Sequence, residues 1–430
     1  MTIYEELYQK KKGTLADCLS VIQSGDEICF AGDGNQPWVI LDHLHEIADR
    51  VVDVKCYKGH EGNFRCVTDP AMNGHIGFDT FLFGRDLMKG QAARNASYVP
   101  VDIADNGGFI TDYRPKDIFC ACVTPMDEHG NFQLGLSSMW ETDMIRTCDR
   151  IILEVNPQEP RVRGGLEINI MDVTALMEVD YPPLVAESAP TSEIEEKIGE
   201  NVAELVHDGD TIQLGIGSMP NAVGHHLMDK KDLGLHTEML TSIFGEMIRK
   251  GVLTGERKNY NKGLHIGSFA GGDLALYETI STDPKVRLLP ARVAVSPREI
   301  MKNDNMVSIN TIIEMDLTGQ VCSESIGTKQ FSGTGGALCF AYGAMRSKGG
   351  RGILAFQSAT NKGISKIGAQ LKPGAVVSIP RNYVDYIVTE YGIAHLRGCT
   401  VRERTEALIA IAHPDARADL RKEARRLFYI

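Results

Sequence analysis

Asp210-Thr-Ile-Gln-Leu-Gly-Ile-Gly-Ser-Met-Pro-Asn-Ala222 and the run after it, Leu235-His-Thr-Glu-Met-Leu240, predict the architecture of this chain. The first stretch begins with the alternation of a β-strand, continues through a glycine turn, and carries Pro220 where a helix can open. The second stretch is an apolar run that contains one carboxylate, Glu238. Together they predict a strand, a turn, a helix and a second strand, which is the repeating unit of an open α/β sheet.

The glycine turn and Glu238 are the first candidates for a functional site. Gly215 and Gly217 let a ligand approach the backbone closely, and N–H groups at the following helix start can hold an anion or a developing oxyanion. Glu238 is expected at the carboxyl end of its strand, where the ligand crevice of open α/β sheets lies. A carboxylate on the surface or at a helix cap is the alternative that the residues alone leave open.

Length and composition indicate a globular protein with two domains. The chain has 430 residues, 43% hydrophobic and 24% charged, and a chain of this length usually divides its hydrophobic core between domains. The formal net charge of −12 argues against a nucleic-acid-binding surface. Because no apolar run has the length of a signal sequence or a membrane span, we expect a cytoplasmic protein that has no membrane partner.

The ten cysteines are scattered along the chain and form no C-x-x-C pair. Most of them have apolar neighbours, which is typical of buried free thiols and not of disulfides or zinc ligands. We therefore expect no metal site.

The strand–turn–helix unit occurs twice. Ser24-Gly-Asp-Glu-Ile-Cys-Phe-Ala-Gly-Asp-Gly-Asn-Gln-Pro37 parallels Asp208-Gly-Asp-Thr-Ile-Gln-Leu-Gly-Ile-Gly-Ser-Met-Pro220, with one extra residue in the first loop. One repetition at this distance is typical of tandem domains, and chance similarity of two such units is the alternative. Prolines interrupt the pattern near residue 182, and Ser192 and Glu195 then have capping-box spacing. We therefore predict two domains, residues 1–185 and 186–430.

A second glycine loop, Phe331-Ser-Gly-Thr-Gly-Gly-Ala337, leads into another predicted helix. Its glycines expose N–H groups and permit close approach of a ligand. A tight turn into a helix explains the same residues without a ligand. Lys362 follows the next apolar strand, where a lysine meets a phosphate or is simply solvated.

Five separated motifs follow one another in a specific order: Gly215-Ile-Gly-Ser-Met219, Thr237-Glu238, Met315-Asp-Leu-Thr-Gly-Gln-Val321, Ser332-Gly-Thr-Gly-Gly336 and Thr389-Glu-Tyr-Gly-Ile-Ala-His-Leu-Arg-Gly398. In this order they resemble the acetyl-CoA hydrolase/transferase family, and within it the 4-hydroxybutyrate and butyryl-CoA:acetate CoA-transferases. The resemblance covers nearly the whole chain. It implies two tandem, related open α/β domains of the CoA-transferase fold, which is similar to that of sugar-phosphate isomerases, with the active site between them.

The resemblance also implies roles for individual residues. Glu238 is expected to be the catalytic nucleophile. The residues expected to contact coenzyme A or the oxyanion are Gly215, Ile216, Gly217, Ser218, Met219, Ile313, Gly335, Gly336 and Lys362. The acyl group is expected to point toward the first domain, so Asp33, His60 and Glu61 are candidates for the acceptor pocket. Ser296 of the second domain is a further candidate, because it is shorter than the asparagine that the family usually has there. Solvated loop positions are the alternative for the polar residues of the first domain.

These roles predict a CoA-transferase that moves CoA between a short-chain acyl-CoA, such as acetyl-, butyryl- or 4-hydroxybutyryl-CoA, and a carboxylate acceptor. The reaction is expected to be ping-pong, through a glutamyl-CoA thioester, with no cofactor beyond the CoA thioesters that are its substrates. We also expect a homo-oligomer. An acyl-CoA hydrolase that uses the same Glu238 is the alternative. A non-catalytic ligand sensor on the same scaffold is a more remote alternative. Such a regulator should carry an added DNA-binding or effector domain, and the sequence shows no motif of one.

The chain departs from the family pattern at Ser296, Cys322, Cys339 and His395. The family usually has asparagine at the first two positions and aspartate at the last two. Each change removes a polar or charged group that could touch the substrate. We therefore expect the departures to alter acyl specificity more than the type of reaction.

Overall fold

The computed structural model describes residues 2–58, 62–186 and 189–430, and of Asp33 it describes the backbone only. Two compact units are present. Unit 1 contains the chain up to Ala186 and the segment Gly267–Val293, and unit 2 contains the chain from there up to Ile266 and the segment Ala294–Ile430. The sequence prediction divides the chain once, near residue 185, whereas the structure returns the chain to unit 1 over residues 267–293.

Long-range contacts hold the returning segment in unit 1. Ser138 donates its backbone N–H to Ser268 O (3.0 Å), and Ala270 donates to Leu136 O (2.8 Å). Arg292 Nε lies 2.9 Å from Asp143 Oδ1. These partners are more than 100 residues apart in the sequence, so no local pattern predicts the return.

Strands and helices alternate along most of the chain. The strands are β1 (Glu27–Phe30), β2 (Val54–Tyr57), β3 (Ile76–Thr80), β4 (Ala96–Tyr98), β5 (Ile118–Val123), β6 (Asn131–Gln133), β7 (Arg150–Val155), β8 (Glu167–Asn169), β9 (Ala175–Glu178), β10 (Thr211–Leu214), β11 (Gly234–His236), β12 (Met239–Leu240), β13 (His265–Gly267), β14 (Phe269–Ala270), β15 (Val286–Leu288), β16 (Met306–Thr311), β17 (Glu314–Asp316), β18 (Val321–Cys322), β19 (Ser325–Ile326), β20 (Lys329–Gln330), β21 (Arg351–Ala355), β22 (Ile367–Gly368), β23 (Tyr386–Thr389) and β24 (Gly392–His395).

The helices are α1 (Ile3–Lys11), α2 (Leu15–Ser20), α3 (Trp38–His43), α4 (Arg65–Thr68), α5 (Arg85–Ala92), α6 (Asn106–Tyr113), α7 (Glu141–Met144), α8 (Glu193–Ala203), α9 (Ser218–His226), α10 (Ser242–Arg249), α11 (Leu274–Thr282), α12 (Ala291–Ala294), α13 (Pro297–Ile300), α14 (Ala337–Arg346), α15 (Val401–Ile411) and α16 (Arg417–Arg426). The capping box predicted at Ser192 and Glu195 is present at the start of α8. Among the described residues, no helix is both long and apolar enough to cross a bilayer.

Unit 1 is built on a parallel sheet with the strand order β4-β3-β2-β1-β5-β7-β9. Every residue of β5 is buried, as are all but the first of β7. Continuous apolar strands of this kind form because a central parallel sheet is covered on both faces. The hydrophobic core of the unit lies against this sheet and includes Ile28, Phe30 and Ile118.

Unit 2 repeats this design. Its sheet has the order β13-β11-β10-β16-β21-β23, all parallel, followed by the antiparallel β24. Asp26 precedes β1 and forms an ion pair with Arg150 at the start of β7, and Asp210 precedes β10 and pairs in the same way with Arg351 at the start of β21. The shared strand order and ion pair confirm the predicted fold class of two related α/β units in tandem.

Candidate active site

Four neighbouring strands of unit 2 lead into the residues that the sequence singled out. The strands β11, β10, β16 and β21 are parallel, and their carboxyl ends therefore lie at one edge of the sheet, where ligands bind in open α/β folds. The first candidate residue after each of these strands is, in the same order, Glu238, Gly215, Ile313 and Lys362.

Glu238 lies against the second glycine loop. A Cβ atom added to Gly336 would lie 2.1 Å from Glu238 Oε2 and 2.8 Å from Val295 Cγ1. The carboxylate can occupy this position only because residue 336 has no side chain. Glu238 is half-buried, so protein covers only part of this residue.

The backbone on both sides of this contact adjoins regular secondary structure. Gly336 is the N-cap of α14, and the first N–H groups of a helix have no partner within the helix. The Glu238 carboxylate therefore lies beside the positive end of a helix dipole. On the other side, Thr237 donates its N–H to Ile266 O (2.9 Å), which extends the strand pairing up to the residue before Glu238. Such a site can stabilise negative charge on a ligand or on a reaction intermediate.

The first glycine loop joins β10 to α9. Gly215 donates its N–H to Ile309 O (2.8 Å), and Gly217 has a φ of +111°, which side chains rarely permit. Ile216 is 65% exposed, whereas Met219 is only 5% exposed. Any contact that Met219 makes with a ligand is therefore expected to use its backbone.

The hydroxyl of Ser218 already has a partner. Ser218 Oγ donates a hydrogen bond to Glu195 Oε1 (2.5 Å), on α8. Hydrogen bonds from Ser218 and Ser192 outweigh the effect of burial, so the pKa of Glu195 is below its usual value. Because the side-chain proton of Ser218 is engaged, the backbone N–H groups are the donors that this loop can offer to an anion.

The remaining candidates of unit 2 lie in different surroundings. Ile313 is half-buried and donates its N–H to Cys322 O (3.0 Å), and Lys362 is exposed in a turn that Gly363 N–H closes on Thr360 O (2.8 Å). Ser296 is half-buried and immediately follows Val295, which lines the Gly336 contact.

The first-domain candidates are only partly described. Asp33 begins a short 3-10 turn, Asp33–Asn35, and its side chain lies outside the described part of the chain. His60 and Glu61 also lie outside the described residues. Their assignment to an acceptor pocket stays a prediction.

The structure contradicts the expectation for His395. This residue pairs with Tyr386, the first residue of β23, and its Nε2 lies 3.2 Å from Asp385. Because β24 is antiparallel, His395 lies at the amino ends of the parallel strands, opposite to the edge that carries Glu238. The departure at position 395 is therefore not positioned to touch a ligand at Glu238.

Three buried polar residues near the candidate site were missed from the sequence. His236 Nε2 lies 2.7 Å from Ala294 O, and its Nδ1 lies 3.2 Å from Asn303 Nδ2. Lys258 Nζ donates to Leu235 O and to Leu264 O, each at 2.9 Å. The one local signal was the histidine within an apolar strand. The partners of His236 lie 58 and 67 residues further along the chain.

Burial lowers the pKa of His236 and of Lys258. Burial, and secondly the charge of Lys258, lower the pKa of His236 to about 3, so its ring is neutral at physiological pH. Burial lowers the pKa of Lys258 to about 7. Among the described residues, no group of three or more His, Cys, Asp or Glu side chains is arranged to hold a metal ion. At this edge the structure places the Glu238 carboxylate against Gly336 of the second glycine loop.

Known proteins share this architecture. The profile of the acetyl-CoA hydrolase/transferase N-terminal domain matches residues 93–192, and that of the C-terminal domain matches residues 272–424. A succinyl-CoA:cyclohexane-1-carboxylate CoA transferase from Geobacter metallireducens is 37% identical over 99% of this chain and 97% of its own. RipA from Yersinia pestis has a crystal structure similar to this chain, with a TM-score of 0.94, 32% identity and 100% coverage of both chains. The 4-hydroxybutyrate CoA-transferase from Porphyromonas gingivalis has a TM-score of 0.83 and 33% identity, over 99% of this chain and 100% of its own. The chain therefore belongs to the acetyl-CoA hydrolase/transferase family.

Proposed function

We propose that this protein is a CoA-transferase whose nucleophile is Glu238. The main support is that Glu238 is half-buried and that its carboxylate lies against Gly336, at the start of α14. A carboxylate in this position can attack a thioester while the adjacent N–H groups stabilise the oxyanion that forms. Two similar proteins, the succinyl-CoA:cyclohexane-1-carboxylate CoA transferase and the 4-hydroxybutyrate CoA-transferase, support the same type of reaction.

The proposed reaction needs only this carboxylate and the two substrates. Glu238 attacks the acyl carbonyl, the C–S bond breaks, and an acyl-glutamyl anhydride and CoA thiolate form. The thiolate then attacks the Glu238 carbonyl, which releases the first acid as its carboxylate and leaves a glutamyl-CoA thioester. A second carboxylate repeats these steps in reverse and departs as the new acyl-CoA. No net proton transfer occurs, and the proposed mechanism uses no metal or organic cofactor.

Each step passes through an oxyanion, which needs hydrogen-bond donors. We propose that the two glycine loops supply donors to the oxyanion and to coenzyme A. Gly336 and the start of α14 are proposed to hold the oxyanion at Glu238, and the loop Gly215–Met219 to hold coenzyme A through its backbone. Lys362 and Ile313 follow neighbouring strands at the same edge of the sheet and are proposed to lie beside coenzyme A.

For the acid, we propose a short-chain carboxylate of four to five carbons, such as 4-hydroxybutyrate or butyrate, with acetyl-CoA as the donor. Ser296 supports this choice, because it follows Val295, which lines the Gly336 contact. Within the described chain, its side chain makes no capping hydrogen bond at the start of α13. The Ser296 hydroxyl is therefore proposed to bind a polar group of the acid. A site of this kind rejects an analogue without the matching polar group far more strongly than an apolar pocket rejects one methylene.

The test is a steady-state assay with acetyl-CoA and a panel of acids. A transferase should give parallel lines in double-reciprocal plots, and it should convert each acid that it accepts into the corresponding acyl-CoA. The alternative function, acyl-CoA hydrolysis, would release free CoA at the same rate with and without an acceptor acid. The variants Glu238→Ala and Glu238→Gln should both lose nearly all transfer, since the second keeps the shape of the side chain but not its nucleophile. Full activity in either variant would contradict the proposal.

A further inference from the structure

We propose that His236 is a positioning residue, which fixes the Glu238 carboxylate against Gly336 by joining the three segments that surround it. The inference rests on the proposed role of Glu238 as nucleophile. The three segments are the strand β11, the run Ala294–Ser296 and the first turn of α14.

The imidazole of His236 contacts each of the other two segments. Its Nε2 lies 2.7 Å from Ala294 O. Its ring meets the ring of Phe340 edge to face, with the ring centres 6.5 Å apart and an interplanar angle of 69°. His236 and Phe340 are both almost fully buried, so neither contact is exposed to competition from water.

Each contact is one short step from the carboxylate. Ala294 is bonded to Val295, whose Cγ1 lines the position where a Cβ of Gly336 would be. Phe340 donates its N–H to Gly336 O (2.9 Å), so it lies directly over the residue that packs on Glu238. His236 itself precedes Glu238 by two residues. A displacement of this ring would therefore move all three walls around Glu238.

The hydrogen bonds also assign the tautomer. A carbonyl oxygen only accepts, so Nε2 carries the proton that is donated to Ala294 O. Nδ1 then accepts from Asn303 Nδ2, at 3.2 Å. The ring stays neutral because burial and the charge of Lys258, which lower its pKa, outweigh the hydrogen bond to Ala294 O and the charge of Glu299, which raise it. Since protein groups occupy both nitrogens, His236 is not available to take a proton from a substrate, which distinguishes positioning from acid–base catalysis.

Two amide substitutions separate these contacts. In His236→Gln, the longer side chain retains an N–H donor near the position of Nε2 and can reach Ala294 O. In His236→Asn, the amide ends near the position of Nδ1 and can reach only Asn303. Thr405→Val is the control for stability, because it removes a different buried hydrogen bond of unit 2, from Thr405 Oγ1 to Leu317 O (3.2 Å).

The measurement is the single-turnover rate at which acetyl-CoA forms the covalent adduct on residue 238, together with KM, kcat and the melting temperature. We expect His236→Asn to lower this rate and kcat by about 30- to 100-fold, the effect of a displacement on the order of 1 Å. The single-turnover rate of His236→Gln should be at least about tenfold higher than that of His236→Asn. KM for acetyl-CoA should change little, and Thr405→Val should keep the wild-type rate. Wild type and His236→Gln should share one pH–rate profile between about pH 5 and 8, since a neutral ring does not titrate there.

Equal rates for folded His236→Asn and His236→Gln would overturn the inference, as would a wild-type rate in His236→Asn. If one amide variant fails to fold, Phe340→Leu replaces it, because this variant removes the ring contact and keeps both hydrogen bonds. A wild-type rate in Phe340→Leu would then overturn the inference, and a lowered rate at unchanged KM would support it. Absence of any adduct in the wild type would instead refute the proposed function.

Discussion

Gly336→Ala is the substitution whose effect the structure predicts most directly. The new Cβ would lie 2.1 Å from Glu238 Oε2, whereas ordinary van der Waals contact begins at 3.4 Å. The carboxylate must therefore move by about 1.3 Å, and a displacement on the order of 1 Å can cost about 100-fold in rate. The backbone itself is compatible with alanine, because Gly336 has a φ of −100°. The predicted loss thus comes from the carboxylate and not from backbone strain.

The assay compares kcat, KM for acetyl-CoA and melting temperature with those of Gly343→Ala. Gly343 lies on the same helix, and its Cβ would crowd Ile300 Cγ2 at 2.6 Å, away from Glu238. Overpacking of this kind costs typically about 1–3 kcal/mol of stability. We expect Gly343→Ala to lose stability but to keep kcat within about threefold, and Gly336→Ala to lose about 100-fold in kcat. A folded Gly336→Ala enzyme with wild-type kcat would refute the assignment of this contact to catalysis.

Three further substitutions test separate parts of the structure. Lys258→Met should remove a pH dependence of stability. Because the folded-state pKa of Lys258 is about 7, against the usual 10.5, the unfolded chain binds more protons between these values. Between pH 7 and 10.5 the free energy of unfolding of the wild type should therefore rise, relative to that of Lys258→Met, by up to about 1.4 kcal/mol per pH unit. Urea titrations at several pH values measure this difference, and a difference that does not change with pH would contradict the prediction. Lys362→Ala should raise KM for acetyl-CoA by about tenfold with little change in kcat, and an unchanged KM would exclude the contact. Ser296→Ala should lower kcat/KM for 4-hydroxybutyrate more than for butyrate, and an equal loss for both acids would remove Ser296 from the pocket.

Local patterns predicted the parts of the site that depend on neighbouring residues. The strand and glycine turn at Gly215, and the position of Glu238 directly after a strand, follow from alternation and from backbone requirements within a few residues. The repeated fold was also predictable, because both copies keep the residues that form the turn. Asp26 and Asp210 preserve the same ion pair in the two units.

The parts that were missed depend on contacts between distant segments. The partners of His236 are Ala294 and Asn303, and no spacing rule connects a histidine to residues 58 and 67 positions further along the chain. His395 was misjudged because the direction of β24 is set by its antiparallel pairing, which a motif does not reveal. Sequence therefore identified the nucleophile candidate, and the structure was needed to find the buried contacts of His236.

Trapping the thioester on Glu238 tests directly whether this residue is the nucleophile. The protein is incubated with acetyl-CoA without an acceptor acid, reduced with borohydride, digested and analysed by mass spectrometry. We predict that Glu238 alone is reduced from a thioester to an alcohol, that activity is lost in proportion, and that Glu238→Gln shows neither change. An unmodified Glu238 peptide from a preparation that actively transfers CoA would contradict this prediction.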